Sequence, residues 1–300
     1  MKLFAIVVTY NGMQWYDRCF GSLCNSEVPI ETVVVDNAST DDTVRYIKTH
    51  FPNVHVIENK ENLGFGRANN LGIQYALAHD ADFFFLLNQD AWIEPDSISQ
   101  LQSIAQAHPE FGILSPIHLN AEKSNIERLL LRRLDDCRTT DPAFFADLYF
   151  GRLKDIYVTK YVNAAAWLLP RKTIEMVGGF DPVFFHYGED DNYINRVLYH
   201  GLKIGICPMV RVVHDNDRPR PLYENRENEV LMLIDYTNVN KQHDVKKDMR
   251  HSWFKMFKAF MRGRTKSFKK HRADYLWLKN NQEAIEKSLA VNRKQGSSWL

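Results

Sequence analysis

Short apolar, β-branched runs alternate with longer amphipathic stretches through the first half of the chain. The runs at residues 3–8, 32–35, 54–57 and 83–87 read as strands. Residues 13–25, 41–50 and 66–79, which lie between them, read as helices. This rhythm predicts βαβ units, and so an α/β fold with a mainly parallel central sheet flanked by helices. Ser39 or Thr40 is expected to cap the second helix, with Asp41 and Asp42 in its first turn. Pro95-Asp96 opens another helix, running to about residue 107.

The pattern degrades from 119 to 160, where charged clusters and an aromatic patch at 144–150 suggest an insertion over the C-terminal edge of the sheet. Periodicity returns at 161–169. A helix over 171–177, a Gly178-Gly179 break, a helix over 189–200 and strands at 203–206 and 210–213 follow. Beyond about Tyr223 the chain reads as helical and increasingly basic.

Net charge adds an asymmetry to this picture. The formal charge is +1, yet residues 246–272 hold eleven Lys/Arg against the single acid Asp248. The other residues carry 27 bases and 36 acids. An acidic body with a basic tail points the tail toward an anionic partner. On a helical wheel Trp253, Met256, Phe257, Phe260 and Met261 share one side, and Lys255, Lys258 and Arg262 another. That is the make-up of an interfacial helix on an anionic membrane, or of a helix packed on the body with a solvated basic face. The opening apolar run is broken by Thr9-Tyr10-Asn11-Gly12 before it reaches the length of a secretory leader. Cys19, Cys24, Cys137 and Cys207 lack metal-binding or disulfide spacing. The expected location is cytoplasmic, with possible peripheral contact at the inner face of the cell membrane.

Candidate chemistry gathers at strand ends. The buried run 83–87 closes in Asn88-Gln89-Asp90. A carboxylate at the carboxyl end of a strand in an open α/β sheet is well placed to hold a hard divalent cation against a phosphate. Strands one and two end in Thr9-Tyr10-Asn11 and Asp36-Asn37, whose tips are expected side by side. Asp36 could accept from a pyrimidine N–H or a ribose hydroxyl, or serve only its own turn. Gly64-Phe65-Gly66-Arg67 opens a helix whose N-terminus favours anions. Glu189, Asp190 and Asp191 open another, behind the aromatic segment 180–187, and an apolar wall raises the basicity of a carboxylate. His214 ends a late strand, where imidazole and carboxylate together suit Mn²⁺ or a similar ion. Trp167 and Phe184-Phe185 offer either a stacking face for a sugar or core packing.

Six segments in this order resemble family 2 glycosyltransferases of the GT-A fold, most closely bacterial rhamnosyltransferase-like enzymes of surface polysaccharide assembly. They are Val7-Val8-Thr9-Tyr10-Asn11, Val34-Val35-Asp36-Asn37-Ala38-Ser39-Thr40-Asp41, the run from Asn62 to Asn70, Leu86-Leu87-Asn88-Gln89-Asp90, Gly178-Gly179-Phe180-Asp181-Pro182 and Gly188-Glu189-Asp190-Asp191-Asn192. The resemblance covers residues 3 to about 215. It implies a nucleotide-diphosphate sugar donor, a divalent cation (Mn²⁺ or Mg²⁺) and inversion at the anomeric carbon. It further implies that Thr9, Tyr10, Asn11, Asp36, Asn37 and Arg67 line the nucleoside pocket. Asp90 would be the acid of the DxD motif and His214 a further metal ligand. Asp190 would be the general base, with Glu189 and Asp191 beside it. Asn88 stands where the family pattern has its first acid, leaving less charge for a cation.

The expected division is a nucleotide-sugar-binding half at 1–115, an acceptor-binding half at 116–221 and a helical basic extension at 222–300. The acceptor class is a saccharide or lipid-linked hydroxyl. Two competing readings are a nucleic-acid or anionic-surface binder acting through the tail, and a nucleotidyltransferase. The first lacks a recognised reading module, and the second lacks the Gly-rich basic phosphate loop.

Overall fold

The computed structural model describes residues 1–216 and 227–300, so the expected boundary at 221/222 and the start of the tail near Tyr223 lie outside the described residues. Nine strands among the described residues form one sheet: β1 (Leu3–Thr9), β2 (Glu31–Asp36), β3 (His55–Glu58), β4 (Phe83–Asn88), β5 (Ala91–Ile93), β6 (Phe111–Leu119), β7 (Tyr157–Thr159), β8 (Ala166–Pro170) and β9 (Lys203–His214). Their order is β3-β2-β1-β4-β8-β6-β9-β5, with β7 paired to β9. The β3-β2-β1-β4 half is parallel, and β6 runs parallel to β9. β8 is antiparallel to both β4 and β6 and joins the two halves.

Strands β1 and β4 are apolar on both faces because both faces are covered. Leu3, Ala5 and Val7 join Phe83, Phe85 and Leu87 in one core, with helices Tyr16–Cys24 and Ser97–Ala107. The alternate residues Phe4, Ile6, Phe84 and Leu86 join the opposite core, with helices Phe65–Ala78, Arg171–Val177 and Glu189–Tyr199. Gly72 lets the Phe65–Ala78 helix press onto β1, since a Cβ there would lie 2.4 Å from Ile6 Cγ2.

Three expectations change. The two late strands are one, β9, whose register against β6 shifts between Pro116 and Ile117 as residues 208–210 bulge out. Helix Thr43–His50 begins later than expected, because Asp41 accepts from the Thr43 backbone N–H while Ser39 bonds to Asp36. Trp167 and Phe184 are core residues, with Trp167 stacked on Phe180, and only Phe185 is exposed.

The insertion holds the short helices Arg128–Arg133, Cys137–Thr140 and Ala143–Tyr149. Its own cluster of Leu130, Leu134, Phe144 and Tyr157 packs on Ile117 and Ile206 of the sheet. In the tail, helix Val245–Met261 pairs with helix Thr265–Asn292 around Val245, Leu278, Ile285 and Leu289. The second helix docks on the body, where buried Asp181 accepts from Ser288 Oγ and Asn292 Nδ2, both at 2.6 Å. No helix among the described residues is long and apolar enough to cross a membrane.

Candidate active site

The tips of β1 and β2 lie side by side as the sequence implies. The Asn37 N–H donates to the Thr9 carbonyl at 2.8 Å, and the Thr40 N–H to Asn11 Oδ1 at 2.8 Å. Asp36 is buried and accepts from Thr9 Oγ1 (3.0 Å), the Ser39 N–H (2.9 Å) and Ser39 Oγ (2.6 Å). A carboxylate offers about four acceptor positions, so one remains open. Asn37 has both ends of its amide engaged. Its Nδ2 donates to the Gly64 carbonyl, and its Oδ1 accepts from Asn59 Nδ2 and the Leu63 N–H. It braces the loop.

Tyr10 is 45% exposed at the edge, so its ring is available to a ligand. Its backbone exchanges two hydrogen bonds with Gln89, which thereby ties β1 to the end of β4. Gln89 was not among the expected site residues; its place between Asn88 and Asp90 is the signal that could have found it. Arg67 is exposed on the first turn of its helix, with its guanidinium on the Pro182 carbonyl at 2.9 Å. Gly64 lies against the Phe185 carbonyl, where a Cβ would sit 1.9 Å away. The segment from Gly64 to Asn70 is thus fastened to the loop that leads into the acidic helix.

At the end of β4, His214 Nε2 lies 3.5 Å from Asp90 Oδ1 and 3.4 Å from Asn88 Nδ2. Pairing of Ala91 with His214 across β5 and β9 sets this approach. Asn88 Oδ1 and His214 Nδ1 are buried without a hydrogen-bond partner among the described residues. A carboxylate, an imidazole and an unspent amide oxygen make a donor set that fits a borderline divalent cation. Asp215 adds a second acid, its N–H bonded to the Asp90 carbonyl and its side chain accepting from Trp15 Nε1.

The acidic helix start reaches the same edge through Tyr161. Its hydroxyl donates to Asp190 Oδ2 at 2.6 Å, and Arg133 of the insertion lies over its ring at 4.0 Å. Four residues beyond Tyr161, the Ala165 carbonyl accepts from the Asn88 N–H. Asp190 Oδ1 also accepts from the Asp191 N–H. Burial, and then the charge of Asp190, raise Glu189 to about 8 and Asp191 to about 7. Burial and the same charge push the Tyr161 phenol far up, which keeps it a donor. Tyr161 thus holds Asp190 as an acceptor, while burial favours the protonated forms of Glu189 and Asp191 on either side of it.

A sheet of this order, with Asp36 at the end of β2 and Asp90 just past β4, has the build of a GT-A glycosyltransferase. The chain belongs to glycosyl transferase family 2, whose profile matches residues 4–158, just over half of its length. It is similar to a low-salt glycan biosynthesis hexosyltransferase of Haloferax volcanii, 25% identical over 215 residues. That match covers 69% of this chain and 65% of the relative, less than two thirds of the relative's length. It is also similar to the N-acetylglucosaminyl-diphospho-decaprenol L-rhamnosyltransferase of Mycobacterium tuberculosis, 26% identical over 228 residues, covering 70% and 74% of the two chains. The crystal structure of S. aureus TarS in complex with UDP-GlcNAc shares the fold, with a TM-score of 0.58 at 14% identity over 98% of this chain and 89% of that one.

Proposed function

We propose that this protein is an inverting glycosyltransferase that moves a sugar from a nucleoside diphosphate donor to a glycan or lipid-linked acceptor hydroxyl in cell-surface polysaccharide assembly. The observation that carries the reading is the Tyr161–Asp190 contact, which gives a chain of this family a held carboxylate between two acids whose protonated forms burial favours. The names of its relatives, a hexosyltransferase and an L-rhamnosyltransferase acting on a diphospho-decaprenol sugar, support both the donor and the acceptor class.

In this reading the nucleoside lies over Thr9, Tyr10 and Asn11, with Asp36 accepting one hydrogen bond from it through its remaining position. Arg67 lends positive charge from the adjacent helix start. Asp190 takes the proton of the acceptor hydroxyl as its oxygen attacks the anomeric carbon. The bond from that carbon to the diphosphate breaks on the opposite face, and its electron pair leaves with the phosphate oxygen. Burial, and then the charge of Asp190, favour the protonated forms of Glu189 and Asp191 beside it. His214, with Asp90 beside it, would hold a divalent cation, which when bound supplies Lewis-acid stabilisation of the departing diphosphate. Residues 1–115 would then serve the donor and residues 116–221 the acceptor.

The helix Val245–Met261 supports a peripheral membrane role. Trp253, Phe254, Phe257, Phe260 and Met261 are exposed on it, close to Lys255, Lys258 and Arg262. An open cavity of about 820 Å³ lined by Lys246, Arg250, Trp253, Phe254 and Tyr275 runs along the same hairpin. An apolar and basic surface of this kind suits anionic headgroups and a lipid-linked acceptor. The overall reading is tested by incubating the protein with UDP-, dTDP- and GDP-sugars, with and without Mn²⁺ or Mg²⁺. Donor hydrolysis or thermal stabilisation by one nucleotide class is expected, and indifference to all of them would count against it.

A further inference from the structure

His118, Glu127 and His214 come together although none neighbours another in sequence. His118 pairs with Val212 across β6 and β9, so His214, two residues on, faces the same side of the sheet. Their rings lie 6.0 Å apart at 81°. The insertion brings in the third residue. A bridge between Leu119 and Ile126 turns the chain back, and the Glu127 N–H donates to the His118 carbonyl at 2.8 Å. One ligand atom from each residue then lies within 4.8 Å of the other two, and all three residues are buried.

The hydrogen bonding leaves these groups open to an ion. His118 meets Ser115 Oγ and Asn163 Nδ2 at 3.4 Å and bonds the backbone of Ala166. Both Glu127 oxygens accept backbone N–H groups, from Leu129 at 3.0 Å and Leu130 at 2.9 Å. These bonds fix the carboxylate while leaving lone pairs on each oxygen. His214 has Nε2 toward Asn88 and Asp90, and Nδ1 buried with no partner among the described residues.

We infer that His118, Glu127 and His214 hold a divalent transition-metal ion, with Asp90 orienting His214 from the outer side. Two imidazoles and one carboxylate are a donor set for Mn²⁺, Zn²⁺ or Co²⁺ rather than Mg²⁺. Bonds of about 2.0–2.2 Å ask the three ligand atoms to close in only modestly. A metal-bound imidazole commonly donates its other N–H to a carboxylate, and Asp90 stands where that partner belongs. The inference rests on the proposed function only in sharing Asp90 and His214 with it. It gives the chain a bound charge beside the position where Asn88 stands in place of an acid.

Full-length protein stripped with a chelator, then titrated with Co²⁺ in the absence of any nucleotide sugar, tests this. The readouts are d–d absorption and calorimetry. One equivalent is expected to bind, with His118→Gln and Glu127→Gln each weakening it by about tenfold or more and Asp90→Asn weakening it less. Glu127→Gln keeps an amide oxygen to cap its helix, and His118→Asn serves if His118→Gln fails to fold. Equal Co²⁺ affinity in the wild type and both inner variants, or no binding by the wild type, would overturn the site. With no donor present, that failure leaves glycosyl transfer standing, and a failure of transfer leaves the ion site standing.

Discussion

Tyr161 donates its hydroxyl to Asp190 Oδ2 at 2.6 Å, from a segment that also hands a backbone carbonyl to Asn88 at the end of β4. One short stretch therefore couples the candidate base to the strand end that carries Asp90. Removing this donor with Tyr161→Phe deletes one hydrogen bond to a charged group, a loss of about 1.5–3 kcal/mol. Turnover is expected to fall roughly tenfold or more with the donor KM unchanged. Steady-state kinetics with varied donor and acceptor would check it, and a change confined to donor KM would go against a positioning role.

The acidic helix start should leave a mark on stability. Glu189 and Asp191 are raised to about 8 and about 7, well above the usual carboxylate range. Between that range and those values the folded chain holds more protons than the unfolded chain. Stability therefore falls as pH rises from about 5 to about 8. Thermal midpoints at the two ends of this window are expected to differ less in Glu189→Gln than in the wild type. Parallel losses in both proteins would mean that Glu189 carries no such proton.

Asp181 sits in the Gly-Gly-Phe-Asp-Pro segment but serves the tail, accepting from Ser288 and Asn292 while its Oδ1 accepts from the Val183 N–H. Asp181→Ala removes the acceptor these buried donors share, at a cost of about 2–4 kcal/mol. Hydrogen exchange is expected to rise first in the helix Thr265–Asn292. Unchanged protection there would show that the dock does not depend on this carboxylate.

Because the last helix packs on the body, deleting residues 246–300 would disturb the fold as well as any membrane contact. Substitutions on the exposed face of the preceding helix avoid this. Trp253→Ser combined with Phe257→Ser is expected to lower co-sedimentation with anionic liposomes several-fold while the melting temperature holds. Equal pelleting of the variant and the wild type would remove the membrane reading.

The βαβ half of the fold was legible because both faces of β1, β2 and β4 are buried, which writes each strand as an unbroken apolar run. β6 was not read as a strand. Gly112 and Pro116 interrupt its apolar character, and Pro116 falls where the register shifts. β9 looked like two strands because its bulge contains Pro208. At the site, the tips of β1 and β2 were readable from local turn residues, as was the acidic helix start. Gln89, Tyr161, His118 and Glu127 were not. Their roles arise from strand neighbours and from the insertion folding back, and no local pattern records either. Arg67 and Asn37 were read as nucleotide contacts, and that their side chains also brace Pro182 and the Gly64 loop was not legible.

The central claim is that Asp190 is the base of a sugar-transfer reaction. Its most direct test is the turnover of Asp190→Asn with the nucleotide sugar and acceptor that the wild type uses, measured beside donor affinity. A positioned base contributes about 10²–10⁴-fold, so turnover is expected to fall by that factor with donor binding nearly intact. Wild-type turnover in Asp190→Asn would contradict the account.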